Sequence, residues 1–138
     1  MHPQKPPLLY HGSVTQDIKA LEPRHRYSPA GKIHYGAVYA TPLPAFAVAH
    51  SFPWSSDEGI GLDVVGETVS ISIPTKLRER LLQPISIYTV SSADFEFTTE
   101  ESSGATWHSK VEVPVLEEVK YATVEEALKK YGATLEYI

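Results

Sequence analysis

The stretch "LLYHGS", Leu8–Ser13, sets three apolar or aromatic residues directly before a histidine and a glycine. Leu8 to Tyr10 read as a short strand, entered through Pro6 and Pro7 and left at Gly12, whose missing side chain permits a tight turn. His11 then falls where strand becomes loop, a place where an imidazole is held rigidly while its ring faces a cleft. A second stretch, "GAVYATPLPAFAVAH" at 36–50, holds another short buried strand with Tyr39 in its middle. Pro42 and Pro44 suit the first turn of a helix, where a missing N–H costs nothing, and small and aromatic residues continue it.

Around these two pieces the chain reads as one domain, residues 1–138, of α+β class with several short antiparallel-looking strands. "IKALEP" (18–23) predicts a helical turn stopped by Pro23, and "RHRYSPAGKIHYG" (24–36) a loop. "TVSISIP" (68–74) alternates cleanly, with Val69, Ile71 and Ile73 on one face of a half-buried strand. Leu77, Leu81 and Leu82 predict one or two helical turns, and "ISIYTV" (85–90), "ADFEFT" (93–98) and "WHSKVEVPV" (107–115) three further strands. "TVEEALKKYG" (123–132) has capping-box spacing from Thr123 to Glu126, lysines in its last turn and Gly132 to close it, and "TLEYI" ends as a strand.

The formal charge of -5 argues against broad nucleic-acid binding, because an acidic surface repels phosphates. With no cysteine there is no disulfide framework, thiolate zinc site or cysteine nucleophile. The polar, proline-rich start lacks the build of a secretory signal, and no apolar run approaches membrane-spanning length; a cytoplasmic protein without a membrane partner is the expectation.

None of His2, His11, His25, His34, His50 and His108 makes the i, i+4 pair of a helical metal site, so no metal is expected. "HGS" lacks the glycine pattern of a strained nucleophile elbow, and "GIGLD" (59–63) follows no predicted strand, so its glycines read as a flexible turn.

In order and context, the segments 8–13 and 36–50 resemble the ADP-ribosyltransferase fold, including the poly(ADP-ribose) polymerase branch, in a small bacterial-type form. There a strand ends in His-Gly-Ser/Thr, and a later strand carries Gly-x-x-Tyr-x-(Ala/Ser/Thr) before a helix rich in small residues. The resemblance implies split antiparallel β-sheets with a few short helices and NAD as substrate. His11 would bond a ribose hydroxyl of NAD, and Gly12 would let backbone groups approach the nicotinamide amide. Ser13 would bond the carboxamide, Tyr39 would stack on the nicotinamide ring, and His50 or Phe52 would supply a second aromatic face. Each residue also has a plainer reading: a strand-end histidine satisfied in a turn, and Tyr39 and Phe52 as core.

The family's transferases carry a glutamate on a later strand, beside the positive charge that develops as nicotinamide leaves. Small members are expected to place it before an aromatic residue and a serine, ahead of Val-x-Pro. In "ATWHSKVEVP" (105–114), Trp107, Ser109, Val113 and Pro114 fit that frame, but Thr106 stands at the glutamate position. Threonine can bond a ribose hydroxyl, yet losing the charge commonly costs about two to three orders of magnitude in rate. Glu100 and Glu101 stand a few residues upstream, and Glu112 on the strand in another register. Two functions follow: transfer of ADP-ribose from NAD to an acceptor such as a protein, with His11, Tyr39 and Thr106 in the catalytic positions, or a non-catalytic module that binds an ADP-ribose-like nucleotide or a protein. Arg24, His25, Arg26, Lys32 and His34 gather cations that would meet a pyrophosphate or a partner beside the cleft, or simply solvate a loop.

Overall fold

Strand β1 is Leu8–Ser13, so His11 lies inside the strand and not at its end. The computed structural model describes residues 4–27, 33–98 and 106–138. After β1 come β2 (Ala20–Leu21), β3 (Arg24–Tyr27), β4 (Ile33–Ala40) and helix α1 (Pro44–Ala49). A 3-10 turn at Ser56–Glu58 precedes β5 (Gly61–Val65) and β6 (Thr68–Ile73), and a second, Thr75–Leu82, precedes β7 (Ile85–Ser91) and β8 (Glu96–Phe97). The chain closes with β9 (Trp107–Ser109), β10 (Val113–Pro114), β11 (Glu117–Tyr121), helix α2 (Val124–Lys130) and β12 (Thr134–Tyr137). This is a mixed α+β fold of mostly antiparallel sheets with few short helices.

Several elements differ from the sequence reading. "IKALEP" contains the short strand β2, which pairs with β10 through Leu21 opposite Val113 and Ala20 opposite Pro114. Leu21 is buried there, so tertiary pairing overrides a weak helical preference. Residues 24–36 include both β3 and the start of β4, paired antiparallel with Arg26 opposite His34. Lys32, Glu100 and Glu101 lie outside the described residues, as do His2 and the side chains of Arg24, His25, Arg26 and His34. The glycines of "GIGLD" do separate work: Gly59, at φ 84°, closes the 3-10 turn, and Gly61 begins β5. "WHSKVEVPV" is two strands, with Glu112 exposed in the turn between them and not on a strand. That break is held by Ser109, whose Oγ donates to the Val111 carbonyl. β11, rich in charge, is an edge strand that pays no penalty for polar side chains.

Two sheets and their junction position the site. The first is ordered β1-β7-β11 and the second β3-β4-β9-β8; a third, β12-β6-β5, includes one parallel pair, β12 on β6. One face of the first sheet, with Tyr10, Ile85 and Ile87, packs on Ala47, Val48 and Ala49 of α1 and on Val124, Ala127 and Leu128 of α2. The opposite face, with Leu9, Tyr88 and Val90, packs on Val38, Ala40 and Trp107 of the second sheet. In α1, Pro44 occupies the first turn and Ala45–Ala49 are all buried; small side chains let this helix lie close to β1. β6 alternates as read, with Val69, Ile71 and Ile73 buried, and α2 is capped by Thr123, which accepts from the Glu126 N–H.

Candidate functional site

Besides packing face to face, the two sheets are joined by an isolated backbone bridge. Tyr10 N–H donates to Thr41 C=O at 2.8 Å, and Thr41 N–H to Tyr10 C=O at 2.9 Å. Were this ladder to continue, Gly12 would come opposite Tyr39, because residues two apart direct their backbone groups to the same strand edge. It does not continue. The Tyr39 carbonyl accepts instead from Nδ1–H of the His11 ring, 2.7 Å away. A carbonyl cannot donate, so the proton is on Nδ1 and Nε2 of the neutral ring is an acceptor.

The same alternation sends the N–H and C=O of Gly12 toward the strand edge that faces β4, since its neighbours His11 and Ser13 face the β7 ladder. Among the described residues no backbone group pairs with Gly12 on that edge. One donor and one acceptor of a single extended residue thus stand side by side where the sheets part. The Ser13 hydroxyl, next along, accepts from Thr15 N–H at 3.0 Å.

Gly12 has a second constraint that the sequence does not disclose. A Cβ built on it would lie 2.2 Å from the Ala47 carbonyl oxygen and 2.9 Å from Ser51 Cβ. The end of α1 therefore occupies one face of Gly12, and the residue must be glycine whether or not a ligand approaches. His50 closes this helix, its Nδ1–H donating to the Phe46 carbonyl at 3.0 Å. The His50 ring lies 4.3 Å from Phe46 and 6.2 Å from Trp54, centroid to centroid. Phe52, 3% exposed, is packed into the core beside Ile60 and Leu81; of the two candidate second aromatics, His50 is the partly exposed one.

Tyr39 points away from Val38, Ala40 and Trp107, which fill the inter-sheet core. Its register partner is His108, and the next partner along is Glu96, so Tyr39, His108 and Glu96 form a row across β4, β9 and β8 on one face. The Tyr39 and His108 rings are 6.1 Å apart and tilted by 41°. His108 Nδ1 is 2.8 Å from Thr98 Oγ1, and its Nε2 is 3.9 Å from Glu96 Oε2. Thr106 is two residues before His108, 7% exposed, with its carbonyl accepting from Thr98 N–H. The structure thus joins His11 to Tyr39 through a backbone carbonyl, while the Tyr39 ring borders His108. His108, Glu96 and Thr98 were missed by motif matching; the only available signal was the alternation of Trp107 and Ser109 with His108.

The segment after Ser13 is pinned over the end of the first sheet. Tyr88 is the register partner of both His11 and Glu118; its hydroxyl donates to Thr15 C=O and accepts from Ile18 N–H. Glu118 Oε2 accepts from Ser86 Oγ at 2.5 Å and Asp17 N–H at 2.9 Å, which holds its carboxyl below the ordinary glutamate range, the serine hydroxyl contributing most. Lys120 donates to Asp17 at 2.6 Å. Asp17 takes a left-handed φ of 64°, a conformation that short polar residues tolerate better than most. Burial raises the Tyr88 phenol.

Away from this junction, a concavity of about 430 Å³ is lined by Pro53, Trp54, Glu58, Arg80 and Gln83. Its charges are spent on each other, Arg80 forming a two-pronged pair with Glu58. Among the described residues no three His, Asp or Glu side chains group as a metal site, and no helix is long and apolar enough to cross a membrane. Compared with known proteins, the chain matches no protein-family model, no curated protein and no solved structure.

Proposed function

We propose that the chain is an NAD-binding, ADP-ribosyltransferase-like domain, with NAD as donor of ADP-ribose to an acceptor such as a protein. The observation that carries the reading is the pair of Gly12 backbone groups, without a backbone partner among the described residues, at the junction of β1 and β4. A carboxamide presents one donor and one acceptor in the same spacing, so Gly12 N–H would bond the nicotinamide carbonyl and Gly12 C=O its amide. His11, with Nδ1–H committed to Tyr39, would offer Nε2 to a ribose hydroxyl. Tyr39 and His50 would supply flat faces on either side of the gap. In the transfer, the bond between ribose C1′ and the nicotinamide nitrogen breaks with its electron pair leaving on nicotinamide, and an acceptor oxygen or nitrogen bonds C1′ and sheds its proton.

A second reading is favoured by Thr106, neutral and buried where the family carries a carboxylate. It is a module that binds NAD or an ADP-ribose-like nucleotide without chemistry. Calorimetric titration with NAD and with ADP-ribose, alongside an assay for free nicotinamide, separates the readings. Binding with release supports transfer, binding without release supports the module, and no binding removes both.

A further inference from the structure

Along the outer face of β4, β9 and β8, the row Tyr39, His108, Glu96 places an imidazole between an aromatic ring and a carboxylate. Among the described residues, the groups facing His108 are Tyr39 from β4, Glu96 from β8, and Thr98 just beyond β8. Thr98 is buried and its hydroxyl, 2.8 Å from Nδ1, serves as donor or acceptor, so it fixes the ring in either protonation state. The His108 side chain is 17% exposed, and its Nε2 lies 3.9 Å from Oε2 of Glu96, a side chain that is itself 80% exposed. A histidine anchored on Nδ1, with a carboxylate beside Nε2 to offset the charge of an added proton, has groups that suit a general base.

Thr106 lies just before β9, and its carbonyl accepts from Thr98 N–H, so the alternation continued one step places it on the same face as His108. The face that lacks a carboxylate at position 106 therefore carries an imidazole–carboxylate pair one step further along. We infer that His108 is the proton acceptor of the site, taking the proton from the attacking acceptor hydroxyl, amine or water as that atom bonds ribose C1′. The C1′–nitrogen bond breaks, its electron pair leaves with nicotinamide, and the proton comes to rest on Nε2, where Glu96 offsets the imidazolium charge. Glu96 acts through His108 and is a positioning residue. This inference rests on the NAD reading above.

The test compares the intact protein with His108→Gln and Glu96→Gln, measuring NAD affinity by calorimetry and nicotinamide release from about pH 5 to 9. His108→Gln is expected to keep NAD affinity within about twofold and to lower release by about a hundredfold, flattening the acid limb of the pH profile. Glu96→Gln, a change at an exposed side chain, is expected to lower release by a smaller factor while keeping NAD affinity. Unchanged release and an unchanged pH profile in both variants overturn the inference while leaving the NAD reading in place. Intact protein that binds NAD without releasing nicotinamide also overturns it, and intact protein that does not bind NAD overturns the reading itself. Should His108→Gln fail to fold, the release rate of Glu96→Gln alone decides, an unchanged rate overturning the inference.

Discussion

The imidazole Nδ1 of His11 lies 2.7 Å from the carbonyl oxygen of Tyr39, so a side chain takes the place of a strand partner where β1 and β4 separate. One interaction thus both ends a ladder and sets the tautomer of the ring.

Replacing His11 by alanine is expected to weaken NAD binding by about fivefold, the worth of one hydrogen bond at about 1 kcal/mol. Loss of the bond to Tyr39 should lower Tm by only about 3–6 °C. Calorimetry and thermal melts check both; a large fall in Tm with unaltered NAD affinity would assign His11 to architecture alone.

Gly12→Ala is expected to be severe for a reason unconnected with ligand. Its methyl would meet the Ala47 carbonyl oxygen at 2.2 Å, backbone that has no rotamer through which to yield. Pushing α1 off β1 should cost about 2–3 kcal/mol, read as a drop in denaturation midpoint with unchanged slope. Lost NAD binding in this variant would say nothing about the carboxamide contact until stability is accounted for.

Thr106→Glu tests the missing charge. A carboxylate beside the developing positive centre is expected to raise nicotinamide release by about a hundredfold, with some loss of Tm because the position is nearly buried. No increase in a folded variant would place position 106 out of reach of the reacting ribose.

Glu118 should make the segment after Ser13 sensitive to acid. Ser86 and Asp17 N–H hold its carboxyl below the ordinary glutamate value of 4.5. A depressed folded value means the contribution is present above 4.5 and is lost as pH falls toward and through the folded value. Glu118→Gln, which cannot ionise, is expected to show a shallower decline of Tm below pH 4.5 than the intact chain. Equal slopes would mean that the latch formed by Asp17, Ser86 and Glu118 carries no linked stability.

Local physics made much of this chain readable from its residues. Strict alternation at Val69, Ile71 and Ile73, Pro44 at a helix start, and the Thr123 cap all depend on neighbours within a few positions, and each element formed where those neighbours require. β2, β3 and β11 were not legible, because a two-residue strand or a charged edge strand is stable only through its partner, and hydropathy records no partner.

At the site, the order of residues alone establishes which groups are available: an imidazole at 11, a glycine at 12, a phenol at 39, a neutral threonine at 106. Tertiary structure decided what they meet. His11 reaches a carbonyl 28 positions away, Gly12 lies under α1, Phe52 sinks into the core, and Tyr39 finds His108 across a register that no spacing rule contains. The reason is that strand pairing and sheet divergence are set by the burial of Leu9, Val38, Ala40, Tyr88 and Trp107 together, a collective choice that no single segment can make.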